Sequence, residues 1–547
     1  MDGWLKRRKD VISAVILLTA NISLVIVLER FFHDWLILKN SLTWKMISDP
    51  LYGYVYYSKE IDEQVINNPL VQRLRLIMQL QTAHLVYPGA THTRFQHSVG
   101  VMHLAGIVAE DFANKIIAHY GVEAFEGYRP ATLIQATRIA GLLHDIGHVA
   151  FGHAFEKSVL WKLNVDQEIN NHEKLGYLVY KIGLEDVVKK LENQYDLDNL
   201  SEVVENLLSP SVTSRGVLKI YRWIVRDSMY PADVVDFLRR DSYYAGTTEY
   251  GSIMYERLYA NTFPYIESDK KLLLLDRVAF GEFRQYLMAK ANMYEHVYYH
   301  SVLRAFDLLL DEILEILAEK YGFVDMIREV KKGDLRGFIA LTDVYVYSIM
   351  LKEALYGEGR LRELSEALIL KRKPLMRRIG REYIISGHKG PEYVAKILSI
   401  IYNKRLRENI RRAVQEDLVK SLAGAGVEEK DIWVDILDVT PIPKSILFSS
   451  ELVETQPVLH VGKKTGRNIV YDGTVNLFME GLPLYVVFRA YVNRAKYSAD
   501  LEPLVSKVLS SSVEEMLNTS KLNLPVSVKD IIDQLSQSEM DKYKLTM

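Results

Sequence analysis

From Pro69 to about Arg412, apolar side chains recur at intervals of three and four, as in Leu70, Leu74, Ile77 and Met78, and strand-like alternation is scarce. A pattern of that period buries its apolar face by packing helix on helix, so the chain is expected to be mainly α. Prolines stand where a first helical turn tolerates them: Pro130 before the run from Ala131 to His144, and Pro231 before the run from Ala232 to Arg240. After about residue 424 the texture becomes β-branched and aromatic, as in DIWVDILDV at 431–439 and LYVVFRAYV at 484–492, with Pro and Gly between segments. These shifts predict a helical body over 46–423, a small α+β lobe over 424–510 and a polar tail over 511–547.

Residues 1–45 differ from the rest. Lys6, Arg7, Arg8 and Lys9 precede an uncharged, mostly apolar stretch at 11–28, whose 18 residues are the lower limit for a membrane-spanning helix. Three readings stand: a membrane anchor, an early start ahead of a natural Met46, or a buried helix diluted by Thr19, Asn21 and Ser23.

The 547 residues contain no cysteine, which excludes disulfides, thiolate nucleophiles, Cys-type zinc sites and iron–sulfur clusters. Metal or acid–base chemistry must therefore rest on His, Asp and Glu. Nine of the 14 histidines (His84, His92, His97, His103, His119, His144, His148, His153 and His172) fall between residues 84 and 172, where an even spread would put two or three. Within and beyond this cluster lie Arg94-Phe95-Gln96-His97, then His144-Asp145 some 47 residues after His97, then Asp233 a further 88 residues on. Imidazoles and carboxylates together suit a borderline divalent ion such as Mn, Fe, Zn or Ni, with Mg an option when substrate phosphates complete its shell. Asp233, Asp236, Phe237, Arg240 and Asp241 share one face of a predicted helix.

RFQHSVGVMHLAG (94–106), GLLHDIGHVAFGH (141–153) and ADVVDFLRRDSYYAG (232–246) resemble the motifs of HD-domain phosphohydrolases. More narrowly they are similar to deoxynucleoside triphosphate triphosphohydrolases, as are SDPLYGY (48–54), NPLVQRLRLIMQL (68–80), MYEHVYYHSVLRA (293–305) and LTDVYVYSIM (341–350). The resemblance implies an HD-type helical core with a smaller α+β C-terminal lobe, and His97, His144, Asp145 and Asp233 as ligands of a divalent metal. It implies that His148, His153 and His172 surround the reacting phosphate, with Glu156 in the place of a supporting Asp. Arg94 would grip phosphate, Gln79 and Leu80 would contact the sugar, Asp241 would accept from its 3′-hydroxyl, and Tyr298 would line the nucleoside pocket. Arg240, on the face of Asp241, is placed with these substrate-binding residues. The pattern departs from the family at Tyr52 (a common His), Ala150 (a common Pro), Val234 (a phosphate-binding Lys in the animal enzyme) and Phe237 (a Tyr). Asn67 and Ser301 stand where nucleotide-activated relatives carry Asp and Lys.

The implied reaction is metal-assisted attack of water on the α-phosphorus of a dNTP, releasing a deoxynucleoside and triphosphate. HD phosphohydrolysis of another nucleotide or phosphomonoester is the alternative, and a non-catalytic nucleic-acid-binding protein on the same scaffold is a third reading. A homo-oligomer is expected from the resemblance, with a cytoplasmic catalytic body that residues 11–28 could tether to a membrane. The formal net charge of −2 conceals residues 371–412, where 13 Lys or Arg face three Glu. That segment is the place to look for a nucleic acid or other polyanion.

Overall fold

Two large hydrophobic cores organise the described residues, one formed by residues between Trp35 and Leu368, the other by residues between Ile379 and Leu517. The computed structural model describes residues 35–519, apart from 37, 164, 211–213, 269, 390, 441–457, 466–467 and 477–483. Around the first core lie the hairpin β1 (Trp44–Asp49) and β2 (Gly53–Ser58), then the helices α1 (Arg94–Tyr120), α2 (Pro130–Leu143), α3 (His172–Gly183) and α4 (Ala232–Ala245). The hairpin β3 (Thr262–Glu267) and β4 (Lys270–Asp276) follows, then α5 (Ser301–Tyr321) and α6 (Asp343–Tyr356).

The long helix α1 begins at a capping box in which Thr93 and Gln96 satisfy each other's backbone N–H groups, and it stops at Gly121. Beside it, α2 is buried along its whole length, as a helix without a polar face must be. His144 and Asp145 follow directly after α2, at its C-terminal end.

The second core is a three-stranded antiparallel sheet, ordered β5 (Met376–Ser386), β9 (Tyr485–Asn493), β6 (Ile432–Val439). The helices α7 (Pro391–Tyr402), α8 (Lys404–Leu422) and α9 (Glu502–Thr519) contribute buried side chains to it, among them Ile397, Leu398, Ile410, Val414, Leu509 and Val513. Strands β7 (Val458–Thr465) and β8 (Asn468–Asn476) instead return to the first core, where β7 pairs in parallel with β4 to complete the sheet β3-β4-β7-β8.

The mainly α class with a smaller sheet-containing C-terminal region is as expected, but the divisions fall elsewhere. The second core starts near Ile379, some 45 residues before 424, because β5 and two helices precede β6 in the same packing unit. Residues 511–519 continue α9 and bury Val513 and Leu517 in that core, so they are not tail. Met46 lies inside β1, where it pairs with Tyr56, and Trp35 and Leu38 pack into the first core, so a division at 45/46 cuts a strand.

Among the described residues no helix is long and apolar enough to cross a membrane. The stretch 11–28 and the three readings of it lie outside the described residues.

Much of the charge in 371–412 meets partners within the chain. Arg378 pairs with Glu382 at 2.7 Å and Arg407 with Asp438 at 2.8 Å, while Arg411 and Arg412 share Glu408. Lys371 pairs with Glu366 and Lys396 with Glu392, and Arg372 donates to the Leu85 carbonyl.

Two cores with separate membership predict separable stabilities. Leu509→Ala, which empties a fully buried position of the second core, should cost about 2–5 kcal/mol. Hydrogen exchange should locate that loss in 376–440 and 484–519, with α1 and α2 unaffected.

Candidate functional site

His97 sits one turn into α1, Asp233 in the first turn of α4, and His144 and Asp145 just past the end of α2, and their side chains converge. His97 Nε2 lies 3.1 Å from Asp233 Oδ1, 3.2 Å from His144 Nε2 and 3.9 Å from Asp145 Oδ2. His144 Nε2 lies 3.5 Å from both Asp233 Oδ1 and Asp145 Oδ1. Donor atoms bound at ~2.1 Å to one ion stand ~3–3.5 Å apart, so His97, His144 and Asp145 could hold a divalent metal, with Asp233 beside the two histidines. The outward nitrogens are engaged elsewhere, His97 Nδ1 with Asp236 at 2.8 Å and His144 Nδ1 with the Gly141 carbonyl at 2.8 Å. Both rings thus turn Nε2 inward, the support that metal-binding histidines need.

Asp236 is fully buried and is itself held by Arg240, at 2.9 and 3.0 Å, and by the Tyr52 hydroxyl, at 2.8 Å. Burial opposes charge on the His97 ring, but hydrogen bonds to Asp233 and Asp236 hold its pKa up at about 10. Burial likewise opposes the charge of Asp233 and Asp145, yet both lie below the usual carboxylate range. His144 and His97 hold Asp233 there, and His144, His148 and Arg94 hold Asp145.

A second group adjoins the first. Glu156 Oε1 accepts from His172, with 2.7 Å to Nδ1 and 3.0 Å to the backbone N–H, and the other oxygen lies 3.3 Å from His153 Nδ1. His148 stacks on His172 with ring centroids 3.9 Å apart, and its Nε2 approaches Asp145 at 3.5 Å. Glu156 is therefore the hub of three imidazoles. Gly147 makes this contact geometry possible: a Cβ there would stand 2.0 Å from the His172 carbonyl oxygen and 2.4 Å from the Gly176 nitrogen.

Burial, then the charges of Arg94 and His172, push His148 well below the usual imidazole value and keep it neutral. Burial also opposes charge on His172, but Glu156 outweighs it and raises that pKa. His153 is the exposed member, with 64% of its side-chain surface accessible.

On the other side, Asp241 accepts from the Tyr298 hydroxyl at 2.7 Å and pairs with His92 Nε2 at 2.7 Å. The His92 carbonyl accepts from the backbone of Gln79, whose side-chain carbonyl is buried without a partner. Gln79, Asp241 and Tyr298 are thus brought together through His92, and Leu80 is half-buried beside Leu303.

Two expected phosphate or substrate contacts are otherwise engaged. Arg94 is buried and paired with Asp145 at 2.5 Å. Arg240 is wholly buried, bound to Asp236 and, at 2.8 Å, to Asp49, so it stands behind the site and steadies it from there. Sequence reasoning put Asp236 on the right helix face without giving it a role, and its spacing of three from Asp233 was the available signal. His92 carried none beyond membership of the histidine cluster.

Residues 94–227 match the HD domain family model, a span that holds His97, His144, Asp145, His148, His153, Glu156 and His172, with Asp233 six residues beyond. The chain carries an HD domain. Among its relatives are deoxynucleoside triphosphate triphosphohydrolases: it is 27% identical over 370 residues to SAMHD1 of Danio rerio, covering 61% of this chain and 54% of that one. It is 28% identical over 273 residues to the uncharacterized protein YwfO of Bacillus subtilis, covering 49% and 55%. The chain thus spans just over half the length of these relatives. A crystal structure of a hypothetical protein from Aquifex aeolicus shares the fold, with a TM-score of 0.58 at 22% identity over 85% of this chain and all of that one.

Removing the outer carboxylate tests the metal assignment. Asp236→Ala should weaken Mn²⁺ binding by about 10–100-fold, and His144→Ala should weaken it further, both read by equilibrium dialysis. Unchanged affinity in both would sink the assignment.

Proposed function

We propose that the chain is a metal-dependent phosphohydrolase that cleaves dNTPs to a deoxynucleoside and inorganic triphosphate. The observation that carries this reading is the contact between two groups: His97, His144 and Asp145, with Asp233 against the two histidines, and beside them His148, His153 and His172 about Glu156. The similarity to deoxynucleoside triphosphate triphosphohydrolases supports the choice of substrate.

His97, His144, Asp145 and Asp233 would hold the divalent ion, which when bound would acidify water and draw charge from a phosphoryl oxygen. Neutral His148, adjacent to Asp145, orients the attacking water. Glu156 raises the pKa of His172, which would supply positive charge next to the phosphate, and exposed His153 is the candidate to protonate the departing 5′-oxygen. Arg94 exchanges part of its hold on Asp145 for a phosphate oxygen, a task suited to its planar fork. Gln79 and Leu80 sit against the sugar, Asp241 takes the 3′-hydroxyl in place of a present partner, and Tyr298 closes the nucleoside side. Phe237 lies edge-on to Tyr298 with centroids 6.4 Å apart and offers no hydroxyl to a sugar. That absence favours, as second reading, a phosphohydrolase for another nucleotide.

Incubation of the purified chain with each dNTP and Mn²⁺ in ¹⁸O-water should yield triphosphate carrying the label. Orthophosphate or pyrophosphate as product would transfer the proposal to the second reading, and no turnover with any nucleotide or phosphomonoester would remove both.

Glu156→Gln should move the basic limb of the kcat profile to lower pH. The carboxylate now raises the pKa of His172, so neutralising it lets burial dominate and the ring loses its proton earlier as pH rises. A pH profile identical to wild type would contradict the role of the pair.

A further inference from the structure

The loop that carries Asp145, His148 and His153 is held from beneath by two buried side chains, Arg73 and Asp343, whose hydrogen bonds to it are made with its backbone. The Arg73 guanidinium donates to the carbonyls of Ile146, at 3.1 Å, and His148, at 2.7 Å, and lies 3.9 Å over the Phe338 ring. One oxygen of the Asp343 carboxylate accepts the Phe151 backbone N–H at 2.7 Å, and the other accepts that of Met78 at 3.0 Å. Both residues are nearly inaccessible, at 3% and 1%. Burying an ionised group is costly unless its partners repay it, and here the partners are backbone groups of one loop and of the residue before Gln79.

The same loop contains a conformation that needs outside support. Phe151 has φ +56°, a value that bulky residues rarely adopt, and Gly152 follows at φ +48°. A Cβ at Gly152 would stand 2.4 Å from the Arg94 guanidinium, so this turn packs directly on Arg94 and then opens the short helix bearing His153. The Ala150 N–H is also tied, at 3.1 Å, to the carbonyl of Leu341, two residues before Asp343. Four hydrogen bonds from two distant parts of the chain, 73 and 341–343, thus fix residues 146–151 by their backbone alone.

We propose that Asp343, together with Arg73, is a positioning residue for the proposed hydrolysis. It holds the strained turn so that His148 and His153 keep their places about Glu156. Through Met78 it also ties that turn to the segment carrying Gln79 and Leu80, so that the phosphate side and the nucleoside side share one carboxylate. The proposal rests on the phosphohydrolase reading for its kinetic consequence, though not for the bracing itself.

Asp343→Asn preserves shape but turns one acceptor into a donor, leaving either Phe151 or Met78 without a partner. The control is Arg222→Met, a buried arginine that donates to the backbone carbonyls of Asn206 and Ser209 and to the Asp227 carboxylate, none of them in 146–153. Both variants should lose comparable melting temperature and bind a full equivalent of Mn²⁺. Asp343→Asn alone should lose on the order of 100-fold in kcat with KM within about threefold, as a small misplacement of reacting groups does. Amide exchange over 146–153 should quicken in Asp343→Asn and not in Arg222→Met. Arg73→Lys, which keeps one donor, should retain more kcat than Arg73→Met, and this pair serves if Asp343→Asn does not fold. Equal activity loss in Asp343→Asn and Arg222→Met, or unchanged exchange over 146–153, would overturn the proposal. Should the wild-type chain hydrolyse no nucleotide or phosphomonoester, the phosphohydrolase reading falls, while the exchange comparison still decides whether the two buried charges brace the loop.

Discussion

The site depends on one fully buried carboxylate. Asp236 accepts from His97 Nδ1, from two nitrogens of Arg240 and from the Tyr52 hydroxyl, and through these bonds it joins α1, α4 and the turn between β1 and β2. An isolated buried carboxylate would take up a proton, but here burial is outweighed by Arg240 and His97, and the group stays well below the usual carboxylate range. Its constancy fixes the tautomer and direction of His97, and with them the point on which the other three ligand side chains converge. Replacing it by a neutral group would leave both Arg240 and His97 without their main partner in a region closed to water.

Several other buried charges at the site are likewise offset by a neighbouring charge. Arg94 answers Asp145, Glu156 answers His172, and Asp49 with Asp236 answers Arg240. This explains how a chain of nearly zero net charge concentrates so many ionisable groups in one place. It also distinguishes the two halves of the site: carboxylates crowd the His97 side, while Arg94 and the imidazoles about Glu156 lie on the other.

How much of this was legible in the sequence differs by feature. The convergence of four side chains was readable because their spacing is fixed by helix ends: His97 in the first turns of α1, His144 and Asp145 just past α2, Asp233 in the first turn of α4. The lobe boundary was not. Strand β5, MRRIGREYIIS, has its period broken by a bulge between Ile379 and Tyr383, so its basic residues read as a charged helical face. The apolar residues of α9, Val505, Leu509, Val513 and Leu517, recur every four positions among serines and glutamates that masked them. Arg240 read as a substrate contact because it shares a face with Asp241, and one-dimensional spacing does not tell which side of that face looks into the cleft and which into the core. Arg73 and Asp343 lie 270 residues apart, and only the fold brings them under one loop.

The parallel pairing of β4 with β7 bears on how the chain is made. Leu275 finds its partner Val461 only after 186 further residues, so β4 is an open sheet edge while α5, α6 and most of the second core are still emerging from the ribosome. At ~5–20 residues per second that interval is roughly 10–40 s. For this time the hairpin 262–276 presents unpaired backbone and the apolar run Leu272–Leu275 to any neighbouring chain, a sequence-remote closure that is slow by its topology and open to aggregation until it is complete.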